Sequence, residues 1–140
     1  MTVVVDANLL VALALNDPRA PLVEDRLRAW RSADESLHAP ALLRYEAANA
    51  LTRVVAAGQL AAESAPVIWE RIVAVAVTLH SLDDGAAVIA VAAQLGRQSA
   101  YDAAYIALAQ SLDAELWTLD GPLARNASGA GFPVRLLEPD

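Results

Sequence analysis

Residues 1–15, MTVVVDANLLVALAL, set one aspartate, Asp6, inside an otherwise almost wholly apolar run. Val3–Val5 is a short β-branched stretch of the kind found in a buried parallel strand. From Ala7 onward the composition suits a helix, which Asn16-Asp17-Pro18 stops. The run is therefore two elements, and Asp6 marks their junction. Asp is a leading N-cap residue, so capping of the helix is the plainest role for it.

The same alternation continues along the chain. Helices are expected over 21–32, 41–57 and 61–76, with a strand at Leu37–Ala39 between the first two and another over 77–80. Asp83 or Asp84 can cap a helix over 85–95 that Gly96 ends, and Ser99 begins a helix reaching Leu112. Glu115–Leu119 is a strand, 121–127 a short helix and Val134–Leu137 a last strand. Strands alternating with helices predict a parallel α/β sheet between helical layers, in one domain over 1–140. There is no internal repeat, low-complexity tail or interdomain linker.

Composition narrows the chemistry. The 140 residues include no cysteine, two histidines (His38 and His80) and ten arginines without a lysine, for a net charge of −7. A disulfide framework, a thiolate zinc site and a cysteine nucleophile are excluded, and structural or surface roles are expected for both histidines. Any chemistry falls to carboxylates. The overall field repels phosphate, so nucleic-acid contact must be local, through arginines or metal ions. No leader or membrane-spanning run is recognisable, and a soluble cytoplasmic protein is expected.

Four acids are oddly placed. In an open parallel sheet, ligands gather at the carboxyl ends of the strands. Asp6 follows the first strand directly, and Asp120 follows the strand in LWTLD (116–120). Glu46 lies on or beside the stripe of Leu43, Ala47, Ala50, Leu51 and Val54. Asp102 lies three and four residues before Tyr105 and Ile106, again on the inner side of its helix. Each also has a plain role: Asp120 as an N-cap, Asp102 in a Ser99–Asp102 capping box, and Glu46 as partner of Arg44 or Arg53. Four such acids facing one sheet edge repel one another, and a hard cation, Mg²⁺ or Mn²⁺, offsets that cost. Such an ion also activates water and clamps phosphoryl oxygens.

Taken together and in this order, VVVDANLL, LLRYEAANAL, SAYDAAYIALA and LWTLDGPLA resemble the PIN-domain ribonucleases, and among them the VapC-type toxins of toxin–antitoxin pairs. The resemblance spans nearly the whole chain. It implies a three-layer α/β/α fold with an about five-stranded, mainly parallel sheet centred on strand one. It implies metal binding and RNA cleavage by Asp6, Glu46, Asp102 and Asp120, Asp6 and Asp102 being most firmly associated with the metal. Asn8, where many members have Thr or Ser, is expected to support the site through a metal-bound water or Asp120. Arg97 and Arg125 are candidate RNA-phosphate contacts, with a surface or salt-bridge role as the alternative. Homodimerisation and an antitoxin that occludes the site are implied too.

Other α/β chemistries fit less well. A haloacid-dehalogenase-type phosphatase needs a second Asp two residues after the first, where this chain has Asn8, and it normally uses a lysine. A phosphoacceptor receiver domain also normally uses a lysine. A dinucleotide-binding domain needs a glycine-rich turn where Asp6-Ala7-Asn8 stands. The remaining alternatives are a PIN-like module that binds a partner without cleaving and a different metal-dependent phosphohydrolase on an α/β fold.

Overall fold

The structure is a computed structural model that describes residues 1–97 and 99–139. Five strands alternate with helices as the periodicity predicts. They are β1 (Thr2–Val5), β2 (Ser36–Pro40), β3 (Thr78–His80), β4 (Glu115–Thr118) and β5 (Val134–Leu136). The helices are α1 (Ala7–Ala14), α2 (Ala20–Ser32), α3 (Leu42–Ala56), α4 (Ala65–Val73), α5 (Gly85–Leu95), α6 (Tyr101–Ser111) and α7 (Gly121–Gly129). A 3-10 turn, Ala62–Ser64, precedes α4.

The sheet is parallel throughout, in the order β3-β2-β1-β4-β5. β1 is central, so Val3, Val4 and Val5 are buried, in keeping with an uninterrupted β-branched run. The chain first winds outward from β1 through β2 to β3, then returns to the other side of β1 for β4 and β5. The winding thus reverses between β1 and β4, and the crevice at such a switch point is where an open α/β sheet binds ligands. α2, α3 and α4 gather around α1, while α5 packs on α6 and α6 lies against β1, β2 and β4.

Boundaries differ from the sequence expectation in three places. α1 ends at Ala14 because Asn16 takes a left-handed conformation (φ 54°), which Asn tolerates, ahead of Pro18. The helix expected over 61–76 divides into the 3-10 turn and α4, with Pro66 in the first turn of α4. α6 begins at Tyr101 and not at Ser99.

Most apolar residues of α2 and α4 are core. Val23, Leu27, Trp30, Ile68 and Ile72 are buried, so neither helix reserves those side chains for a partner. Trp30 meets Trp117 of β4 edge-on, ring centroids 5.7 Å apart, and Arg26 covers Trp117 at 4.7 Å. The two histidines pair with each other across β2 and β3, Nδ1 of His38 lying 2.8 Å from Nε2 of His80. Burial and its neighbour hold His38 below the usual histidine pKa. No described helix is long and apolar enough to cross a membrane.

Candidate active site

Asp6 and Asp120 stand at the ends of β1 and β4, on either side of the switch point. Both are helix N-caps, as their residue type predicts. Asp6 Oδ1 accepts the Asn8 amide at 3.3 Å, and Asp120 Oδ1 accepts the Leu123 amide at 3.0 Å. Asp84, with its Oδ1 3.0 Å from the Ala87 amide, caps α5 in the same way. Capping occupies one oxygen of Asp6 and one of Asp120, so it is compatible with a second role for either acid.

The junction of β1 and β4 is bound together by Thr118, the one fully buried polar side chain among the described residues. Its hydroxyl donates to Asp6 Oδ2 at 2.8 Å and accepts from Asn8 Nδ2 at 3.1 Å and from the Asp120 amide at 3.0 Å. One donor and two acceptor positions are all a hydroxyl has, so Thr118 is saturated and its direction is determined. Asn8 completes the link, its Oδ1 accepting the Leu119 amide at 3.2 Å. Asn8 therefore ties α1 to β4, and its amide does not reach the Asp120 carboxylate.

Glu46 approaches from α3. Its Oε1 accepts the Tyr105 hydroxyl at 2.6 Å, so the partner is a phenol on α6 and not Arg44 or Arg53. Asp102 lies one turn before Tyr105 on α6 and is half-buried. The capping box expected at Ser99–Asp102 does not form: Ser99 Oγ accepts the Tyr101 amide at 3.3 Å, but Ala100 is the cap residue and no side chain caps the helix. Asp102 is left without that plain role.

The electrostatics tie the four acids together. Burial pushes the Asp6 carboxyl up to a pKa of about 6, against the hydrogen bonds from Thr118 and Asn8, and the charges of Glu46 and Asp102 add to the rise. Glu46 is raised by burial and by Asp102, opposed by the Tyr105 hydrogen bond and by Arg53. Asp102 is raised by burial and by Asp120, opposed by Arg97. Asp6, Glu46 and Asp102 thus each feel at least one other of the four. Burial, the nearby Asp6 charge and the bond to Glu46 hold the Tyr105 phenol well above its usual range, so it remains a donor.

Arg97 therefore stands within electrostatic reach of Asp102. Arg125 folds back over the start of α7, its Nη1 2.9 Å from where a Cβ on Gly121 would lie, beside Asp120. Thr118 and Tyr105 are the site residues that sequence reasoning passes over. Thr118 gives a faint signal, as a polar residue inside the apolar stretch Leu116–Leu119. Tyr105 gives none, because it fits the apolar stripe of α6.

Among the described residues, no three carboxylates or imidazoles stand close enough to enclose one ion. A Mg²⁺ ion, which keeps several waters and is bound through one or two carboxylates, does not depend on such a cluster. Asp6 Oδ2 and Glu46 Oε1 each carry a hydrogen bond that fixes their orientation, as carboxylate ligands require.

Comparison with known proteins agrees with the fold and the motifs. A family model described as PIN domain matches residues 3–128. Ribonuclease VapC3 of Pyrobaculum aerophilum is 36% identical over 130 residues, which cover 89% of this chain and 93% of the relative. The crystal structure of PAE2754 from Pyrobaculum aerophilum superposes with a TM-score of 0.66 at 25% identity, covering 98% of this chain and 92% of that one. The chain belongs to the PIN domain family.

Proposed function

We propose that this chain is a Mg²⁺- or Mn²⁺-dependent endoribonuclease and the toxin of a toxin–antitoxin pair. The observation that carries the reading is the placement of Asp6 and Asp120 at the β1/β4 switch point, with Glu46 and Asp102 near enough to push the Asp6 carboxyl up. The similarity to a ribonuclease named VapC3 supports the substrate class and the toxin role. When bound, the ion supplies charge neutralisation and an activated water for attack on a phosphodiester.

The chain's own groups do the positioning. Asp6, held by Thr118 and Asn8, and Asp102 are the principal ligands. Glu46, held by Tyr105, and Asp120, with one oxygen left over from capping, would complete the set. Arg97 and Arg125 flank Asp102 and Asp120, where each can meet an RNA phosphate. An antitoxin inhibits by covering this crevice. The chain forms homodimers in the cytoplasm, with exposed Leu82 and Tyr101 beside a cleft of about 490 Å³ offering apolar surface.

The test uses purified protein free of any antitoxin, incubated with cellular RNA with and without Mg²⁺ or Mn²⁺. Metal-dependent cleavage lost in Asp6→Asn supports the reading. No cleavage, or equal cleavage by wild type and variant, overturns it in favour of a binding module. The ion should also raise the melting temperature, because it binds the folded state preferentially, and Asp102→Asn should abolish that rise.

A further inference from the structure

A groove of about 250 Å³ leads away from Asp6 and Glu46 between α1 and α3. Its shape follows from sequence spacing. Asn8, Val11, Ala12 and Leu15 form one face along α1, and Glu46, Asn49, Ala50 and Arg53 form one face along α3. Alanines 12 and 50 are small, so the two helices leave a trough where larger side chains would fill it. Asp102 and Asp120 do not line it.

The far end of the groove is basic. Arg19 lies there, held by Asp17 through Nε at 3.1 Å and Nη2 at 3.4 Å, so that pair is largely self-neutralised. Arg53 has no such partner: none of the ion pairs among the described residues involves it. It stands two turns beyond Glu46, about 10 Å along the helix axis. Asn49 lies between them on the same face and exposes its amide. The groove thus runs from an acidic end, suited to a metal-bound phosphate, to an unpaired cation further along.

We propose that this groove carries one arm of the bound single-stranded RNA, with Arg53 contacting a backbone phosphate beyond the scissile one and Asn49 hydrogen-bonding the strand between them. The proposal rests on the ribonuclease reading for its ligand. Two observations favour RNA over a peptide here. The groove is continuous with the carboxylates where the scissile phosphate must sit, and Arg53, its one cation outside the ion pairs of the described residues, lies beyond that position. Arg97 and Arg125 lie outside the groove, near Asp102 and the start of α7, so cations near the acids are not confined to the groove although the protein is acidic overall.

The experiment measures anisotropy of a fluorescently labelled single-stranded oligoribonucleotide together with its cleavage. The proteins are wild type, Arg53→Ala, Arg53→Lys, Asn49→Ala and, as a control on the exposed end of α2, Arg31→Ala. Arg53→Ala should weaken binding and raise KM about five- to tenfold, and should lower the slope of log affinity against log salt by about 1. Arg53→Lys should restore much of the loss, Asn49→Ala should show a smaller one, and Arg31→Ala should match wild type. Equal losses in Arg53→Ala and Arg31→Ala indicate a general charge effect and overturn the proposal. So does unchanged RNA binding in Arg53→Ala, including the case where that variant loses only the binding of an antitoxin. If wild type binds RNA but does not cut it, the nuclease reading fails, and the binding data alone decide the groove.

Discussion

The Tyr105 hydroxyl donates to Glu46 Oε1 at 2.6 Å, joining α6 to α3 across 59 residues of sequence. The bond sets the direction of a carboxylate that otherwise swings on a two-carbon arm. Tyr105→Phe removes the donor and keeps the ring that packs. It should cost about 1.5–3 kcal/mol in urea denaturation, as for a hydrogen bond to a charged group. It should also raise the Mg²⁺ or Mn²⁺ concentration for half-maximal cleavage several-fold. In a Glu46→Gln background the second effect should vanish, because the two residues act together. An additive effect on metal dependence would mean that Tyr105 serves packing alone.

Thr118 is a stronger case of the same dependence. Thr118→Val keeps the shape but removes Asp6's donor and leaves Asn8 Nδ2 and the Asp120 amide without their acceptor. The expected loss is about 3 kcal/mol, since buried polar groups are left unpaired. Thr118→Ser keeps the hydroxyl and should lose about 1 kcal/mol, the scale of one buried methyl group. Denaturant titration of both variants checks the order; a Val variant as stable as the Ser variant would contradict it.

The raised carboxyls predict an unusual pH dependence in metal-free protein. Asp6 has a pKa of about 6 when folded against an ordinary 3.8. Between those values the folded state binds more protons, so stability falls as pH rises. The contribution is fully present below about pH 4 and is lost as pH passes through 6. It amounts to about 3 kcal/mol for Asp6 alone, and Glu46 and Asp102 are shifted in the same direction. Melting curves in EDTA should therefore show stability declining from pH 4.5 to 6.5, by about 2 kcal/mol from Asp6. Asp6→Asn should flatten the slope, and Mg²⁺ or Mn²⁺ should offset the loss above pH 6.

Gly121 predicts a separable effect on Arg125. A methyl group at position 121 would lie 2.9 Å from Arg125 Nη1, the mobile end of a long side chain, so the guanidinium moves and the backbone does not. Gly121→Ala should leave the melting temperature equal or slightly raised, because alanine favours a helix start over glycine. Its KM for RNA should rise as far as that of Arg125→Ala. A rise in Arg125→Ala with none in Gly121→Ala would mean that Arg125 reaches RNA from a different position.

Much of this was legible in sequence order alone. Val3–Val5 followed by Asp6, and Leu116–Leu119 followed by Asp120, place two acids at strand ends in any parallel α/β sheet. The periodicity of α3 and α6 turns Glu46 and Asp102 inward. What periodicity cannot express is which inward residues meet. The Tyr105–Glu46 bond depends on how α6 is placed against α3, and the role of Thr118 depends on β1 and β4 being neighbours. Asn8 shows the limit from the other side: the motif marks the position as important, but only the adjacent β4 reveals that its amide is spent on Thr118 and Leu119. Helix ends were obscured for a local reason, since alanine-rich flanks carry few stop signals beyond Gly96 and the prolines.

The bond between Thr118 and Asp6 spans 112 residues, and that between Leu119 and Asn8 spans 111. Contacts so distant in sequence carry a large loop-closure cost and form late unless others bring the ends together first. β1, α1 and the helices around it can begin to associate while the chain is still being synthesised, but Asp6 lacks its fixing donor until β4 docks. During translation the Asp6 junction is therefore completed only after β4 has emerged, so under the proposed nuclease reading a ribosome-bound fragment ending before Thr118 would lack the assembled centre.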